Sequence, residues 1–134
     1  GQMGRRELRE QIFKLLFRVE FNTLEDMPEQ EKLFFEDEEN IADEKDEQYI
    51  RTKCGDIIAK LETIDGMINE KAESWETGRM GKVDLTLIRL AVYEIKFDED
   101  IPTGVAINEA VELAKKFGQE NSPSFVNGVL AKFA

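Results

Sequence analysis

With 134 residues, 41% hydrophobic and 35% charged, the chain has the size and composition of one ordinary folded domain rather than a disordered segment. It holds one cysteine and no histidine, so an internal disulfide is excluded, and the commonest metal ligand and general base is missing. No apolar run approaches the roughly 18 to 20 residues of a membrane span, and no secretory signal pattern opens the chain, so a cytoplasmic protein without a membrane segment is expected.

The formal net charge of -11 is unevenly spread. Residues 25 to 48 hold twelve acids against two lysines, a local net of -10, which leaves the rest of the chain close to neutral. Residues 1 to 20 are locally basic, with Arg5, Arg6, Arg9, Lys14 and Arg18 against Glu7, Glu10 and Glu20.

Apolar residues recur at intervals of three and four and glycine and proline are few, which predicts an all-α chain of about seven helices. The first runs from about Arg5 to Phe21, with Leu8, Ile12, Leu15, Leu16 and Val19 facing inward. Arg5 and Arg9 lie about 40° apart on its wheel beside that stripe, while Arg6 points away, towards the side of Phe13 and Phe17. Three guanidinium groups are thus expected to fan outward at a helix start that already presents free amides and positive potential, which makes an anion site. Arginine's planar fork suits phosphate, and a neighbouring aromatic offers a face on which an unpaired base can stack. The competing reading pairs these arginines with surface acids.

A short second helix starts at Pro28, which suits a first helical position, and carries Leu33, Phe34 and Phe35. The acidic stretch EDEENIADEKDEQ reads as a solvated loop and the start of a third helix, about 47 to 64, without the oxygen-ligand pattern of a calcium loop. Cys54 falls in the helical series Ile50, Cys54, Ile57, Ile58, Leu61 and reads as a packing residue. After IDG a fourth helix carries MINEKAESW, with Asp65 its cap, and the fifth holds LTLIRLAVYEI, 85 to 95. Arg89 lies at the border of that helix's apolar stripe, where a partly desolvated guanidinium demands either a carboxylate or a phosphate. The sixth helix, VAINEAVELAKKFG, ends at Gly118 as a C-terminal cap, and Ser122-Pro123 starts the seventh, with Ser122 capping. Gly128 inside the seventh is expected to mark a close helix contact. Phe125 sits at the margin of that helix's inward face, suited to core packing or to a ligand.

No Ser-His-Asp set, metal-ligand cluster or glycine-rich phosphate loop is present, so neither a catalytic site nor a cofactor or metal is expected, and a binding protein is the better reading. The blocks D84-L-T-L-I-R89-L-A-V-Y93-E94, V105-A-I-N108-E109-A-V-E-L-A-K and F125-V-N127-G128-V-L, with R5-R6-E-L-R9-E10-Q-I-F-K-L-L16-F17 at the head, closely resemble the NusB family of bacterial transcription antitermination factors. The resemblance spans nearly the whole chain, while residues 25 to 48 match nothing specific. It implies a single NusB-like domain, 1 to 134, of two packed helical halves divided near residue 65. It also implies binding of boxA-type single-stranded RNA together with NusE, a small-subunit ribosomal protein, on elongating RNA polymerase in ribosomal RNA operons. By motif position the RNA role carries to Arg5, Arg6 and Arg9, and the RNA or NusE surface to Phe17, Asp84, Arg89, Asn121 and Phe125. Two positions depart from the family pattern: Phe17 stands where tyrosine is common, and Glu7 where some relatives have a third basic residue, so NusE is expected to be needed for tight binding. Family members occur as monomers and as homodimers, and a dimer could cover the arginine helix. The alternatives are a helical protein adaptor that does not bind RNA, and an RNA cytosine methyltransferase, which would need a further cofactor-binding domain.

Overall fold

The computed structural model describes residues 1–134 and contains seven α-helices and no strand. It divides into two compact units, Gly1–Ile58 and Ala59–Ala134. No helix is long and apolar enough to cross a membrane.

The first unit holds α1 (Arg5–Phe17), α2 (Met27–Glu36) and most of α3 (Glu44–Ala59). After Phe17 the chain tightens into a 3-10 turn, Arg18–Phe21, so the α-helix is one turn shorter than the sequence suggests. The inward face of α1 is also wider than predicted: Phe13 is buried along with Ile12, Leu15 and Leu16, and the same unit also buries Met27, Phe34, Ile50, Cys54 and Ile57. The acidic segment is partly consumed by structure. Arg51 of α3 pairs with Glu31 at 3.1 Å and Glu47 at 3.3 Å and lies over the Phe35 ring at 4.6 Å, tying α2 to α3. Asp43 begins α3 by accepting the Asp46 backbone N–H at 2.9 Å, and that hydrogen bond is the main force holding its carboxyl below the usual 3.8. Cys54 is fully buried, its Sγ 3.7 Å from the Ile12 carbonyl, and burial pushes the thiol far above its usual range, which fits a packing residue rather than a nucleophile.

The second unit contains α4 (Leu61–Ala72), α5 (Lys82–Phe97), α6 (Thr103–Phe117) and α7 (Ser122–Ala131). The break between α3 and α4 falls at Lys60 (φ -108°, ψ 9°), not at IDG. The apolar series Leu61, Ile64, Ile68, Ala72 keeps helical spacing through Asp65 and Gly66, and its burial outweighs the propensity cost of one glycine. Asp65 is therefore mid-helix and not a cap. Every residue of α5 from Leu85 to Glu94 is buried, as expected of a helix packed by α4, α6 and α7.

Gly118 is the C-terminal cap of α6 that the sequence predicts, whereas Gly128 departs from the expectation placed on it. Gly118 closes α6 through its N–H to the Ala114 carbonyl at 2.9 Å, but a Cβ there would lie 2.5 Å from the Ser122 side chain and 2.8 Å from that carbonyl. Close approach, not a left-handed backbone, demands glycine, since φ is -93°. Ser122 is the first residue of α7, and its Oγ accepts the Gln119 N–H at 2.9 Å instead of capping the helix. Gly128 is exposed with no atom within 4 Å of where a Cβ would stand, so no close helix contact accounts for it.

Candidate nucleic-acid interface

In the first unit the candidate surface is α1. Its cap is Gly4, which has no side chain with which to cap the first turn. The buried Asp46 of α3 accepts the Gln2 and Met3 backbone N–H groups at 2.9 and 3.0 Å and fixes the approach to that turn. Arg5 and Arg6 are exposed. Arg9 is only 9% exposed, which corrects the picture of three outward guanidinium groups to two. The reason lies in the wider buried arc: Arg9 is about 40° from Phe13 and about 20° from Leu16 on the wheel, inside that arc once Phe13 belongs to it.

The other basic residues of the first twenty are engaged structurally. Lys14 pairs with Glu10 at 3.3 Å, and Arg18 donates to the Gln30 carbonyl and Oε1 at 3.3 and 3.2 Å while lying over Phe34. At the far end of α1, half-buried Phe17 lies between Phe13, with ring centroids 5.9 Å apart, and Phe21, 5.1 Å away and edge-on. Phe21 is 61% exposed. Eleven helical steps separate Arg6 from Phe17, about 17 Å, so charge and aromatic faces are spaced along one helix.

In the second unit, Asp84, Asn121 and Phe125, distant in sequence, line a single open cleft of about 480 Å³. The first turn of α5, the end of α6 and the first turn of α7 bring them there, and the close Gly118–Ser122 approach forms part of the wall. Trp75, Arg79 and Lys82 line the same cleft and were missed by the sequence reading; the signal was a lone tryptophan in a polar stretch between two apolar helices. The Trp75 and Phe125 rings meet edge to face at 5.5 Å, so Phe125 is neither wholly core nor isolated. Asp84 Oδ1 is buried with no hydrogen-bond partner.

Arg89 does not line this cleft. Its Nε and Nη2 donate to Asp65 Oδ1 and Oδ2 at 2.8 and 2.7 Å, a two-pronged pair joining α5 to α4, with the Arg89 side chain 11% exposed. Of the two partners the sequence allowed, carboxylate or phosphate, the fold supplies the carboxylate. No group of three or more histidine, cysteine, aspartate or glutamate side chains is placed to hold a metal ion.

The family model described as the NusB family matches residues 6–134. A transcription antitermination protein NusB of Agathobacter rectalis is 56% identical over 132 residues, covering 98% of this chain and 100% of that protein. Another, from Lachnoclostridium phytofermentans, is 48% identical over 130 residues, covering 97% and 98%. Among solved structures, T. maritima NusB superposes with a TM-score of 0.86 at 39% identity, covering 100% of this chain and 92% of that one. A crystal structure of the antitermination factors NusB and NusE in complex with dsRNA gives 0.82 at 29% identity, covering 96% and 94%.

Proposed function

The chain belongs to the NusB family, and from that premise we propose that it is a bacterial transcription antitermination factor that binds boxA-type single-stranded RNA together with NusE. What carries the reading is the convergence of Asp84 from the first turn of α5 with Asn121 and Phe125 from the start of α7 on one cleft that also holds two cationic side chains. The exposed arginines of α1 supply a second RNA contact, within the first unit.

In this reading Arg5 and Arg6 neutralise backbone phosphates, aided by the positive end of the α1 dipole, and this contact carries affinity without sequence choice. Phe17 and Phe21 offer stacking faces farther along α1. Phe125, Asp84 and Asn121 take an unpaired base in the cleft. Arg9 and Arg89 are positioning residues: the first is buried under the arginine turn, and the second holds α5, which carries Asp84, to α4. The work is binding and tethering, and no step of it needs bond chemistry. Joined to NusE, the protein acts in the cytoplasm on RNA polymerase elongating through ribosomal RNA operons. Self-association that covers α1 would compete with RNA, so RNA shifts any dimer towards monomer in sedimentation.

The test is a titration of labelled boxA-type RNA with and without NusE, using a duplex of the same sequence as competitor. Binding is expected to tighten with NusE and to prefer the single strand, and joint Arg5→Glu and Arg6→Glu substitution is expected to abolish it without changing the helical circular dichroism. RNA that binds the substituted protein as well as the parent, or that never binds with NusE present, contradicts the proposal.

A further inference from the structure

We propose that Asp46 is a positioning residue for the RNA contact of the first unit: from α3 it clasps the segment that leads into α1, and so holds Arg5 and Arg6 ready for phosphates. The inference rests on the RNA-binding reading above. It gives a task to one acid of the segment 25 to 48, for which the family resemblance offers none.

Asp46 is 4% exposed in a stretch where most acids face solvent. A carboxylate leaves water only where hydrogen-bond donors replace it. Here the donors are backbone groups far away in sequence: Oδ2 alone accepts the Gln2 N–H at 2.9 Å and the Met3 N–H at 3.0 Å. The acceptor is itself fixed, because Asp46 lies in the first turn of α3 and its own N–H donates to Asp43 Oδ1 at 2.9 Å. Two hydrogen bonds on one oxygen set both the position and the direction of the incoming chain.

Only Gly4 separates the held N–H of Met3 from Arg5. Gly4 has φ -75° and ψ 171°, values open to any residue, and a Cβ there would touch nothing, so neither backbone nor space demands glycine. Its freedom only loosens the joint. Gly4 brings no capping side chain either, and the first turn of α1 closes on its carbonyl, which accepts the Leu8 N–H at 3.0 Å. With Met3 clasped, that carbonyl and the turn bearing both arginines are held in place. Unclasped, the turn frays and must be ordered again when RNA binds.

Charge and position act in opposite senses, so the sign of one substitution separates them. Asp46 sets a formal negative charge near a phosphate contact, and if charge alone governed, its removal would tighten RNA binding. If position governs, its removal weakens binding.

The test titrates boxA-type RNA, in the presence of NusE and over a range of salt, with the parent, Asp46→Ala and Asp46→Asn chains, all shown to be folded by circular dichroism. Asp46→Ala is expected to bind about tenfold more weakly, the cost of ordering a residue or two. Its slope of log affinity against log salt is expected to match the parent's, because both arginines still reach phosphate in the complex. Asp46→Asn keeps a carbonyl oxygen that can accept both N–H groups and is expected to recover most of the affinity. Amide hydrogen exchange gives a readout independent of RNA: the Gln2 and Met3 N–H groups are expected to be protected in the parent and the Asn variant and to exchange freely in the Ala variant. Affinity of Asp46→Ala equal to or above the parent's, or an equal loss in Asp46→Asn, overturns the positioning role and leaves the RNA-binding reading standing. Unprotected Gln2 and Met3 amides in the parent overturn the clasp likewise. Absence of RNA binding by the parent, with NusE present, removes both readings.

Discussion

Arg89 and Asp65 are joined by two parallel hydrogen bonds, Nε to Oδ1 at 2.8 Å and Nη2 to Oδ2 at 2.7 Å, linking α5 to α4. The guanidinium is largely removed from water, so deleting Asp65 strips a two-pronged carboxylate pair from a mostly buried charge. Asp65→Ala is expected to cost about 3 kcal/mol in urea unfolding, with an unchanged m-value. Under conditions where the variant is fully folded, its RNA affinity is expected to equal the parent's. A loss of RNA affinity in folded protein would instead make Arg89 an RNA contact.

The two late glycines are expected to respond oppositely to alanine. Gly118→Ala forces a methyl group into the Ser122 side chain and the Ala114 carbonyl, and overpacking of this kind costs about 1 to 3 kcal/mol. Because Gly118 lines the cleft, oligonucleotide affinity should fall with it. Gly128→Ala meets open space on an exposed helix face and is expected to stabilise by about 0.5 to 1 kcal/mol. Thermal melting of the two variants side by side reads both signs.

Asp43 gives a pH dependence of known direction. Its carboxylate accepts the Asp46 backbone N–H, the largest of the causes that lower its pKa from 3.8, so the folded state binds that proton less tightly than the unfolded state does. The resulting stability is present above 3.8 and is lost as pH falls through the lower folded value. Asp43→Ala is expected to melt below the parent at neutral pH and to converge with it in strong acid. Asp43→Asn, which keeps an oxygen acceptor, should lose less at neutral pH.

The helices were legible because burial and periodicity agree along most of the chain, most fully in the ten consecutive buried residues of α5. Where they were misread, a local signal lost to a longer-range one. Asp65 and Gly66 looked like a helix start, yet the apolar series from Leu61 to Ala72 carried α4 straight through them. Phe13 passed for a surface aromatic because a narrow stripe on α1 already seemed sufficient, and Arg9 was misplaced with it. The motif resemblance singles out Asp84, Asn121 and Phe125, but their meeting in one cleft depends on how α5, α6 and α7 pack, which no local pattern encodes. Trp75 lies in a turn held by the positive φ of Glu73, and neither propensity nor spacing points to such a conformation.

The central claim, that exposed arginines at the start of α1 bind RNA phosphates, is tested most directly by the salt dependence of RNA affinity for the parent chain and for the joint Arg5→Ala, Arg6→Ala variant. For single-stranded RNA each neutralised phosphate contributes about 0.7 to the slope of log affinity against log salt, so the variant is expected to be weaker at low salt with a slope shallower by about 1.4. Two parallel lines of equal affinity would contradict the account.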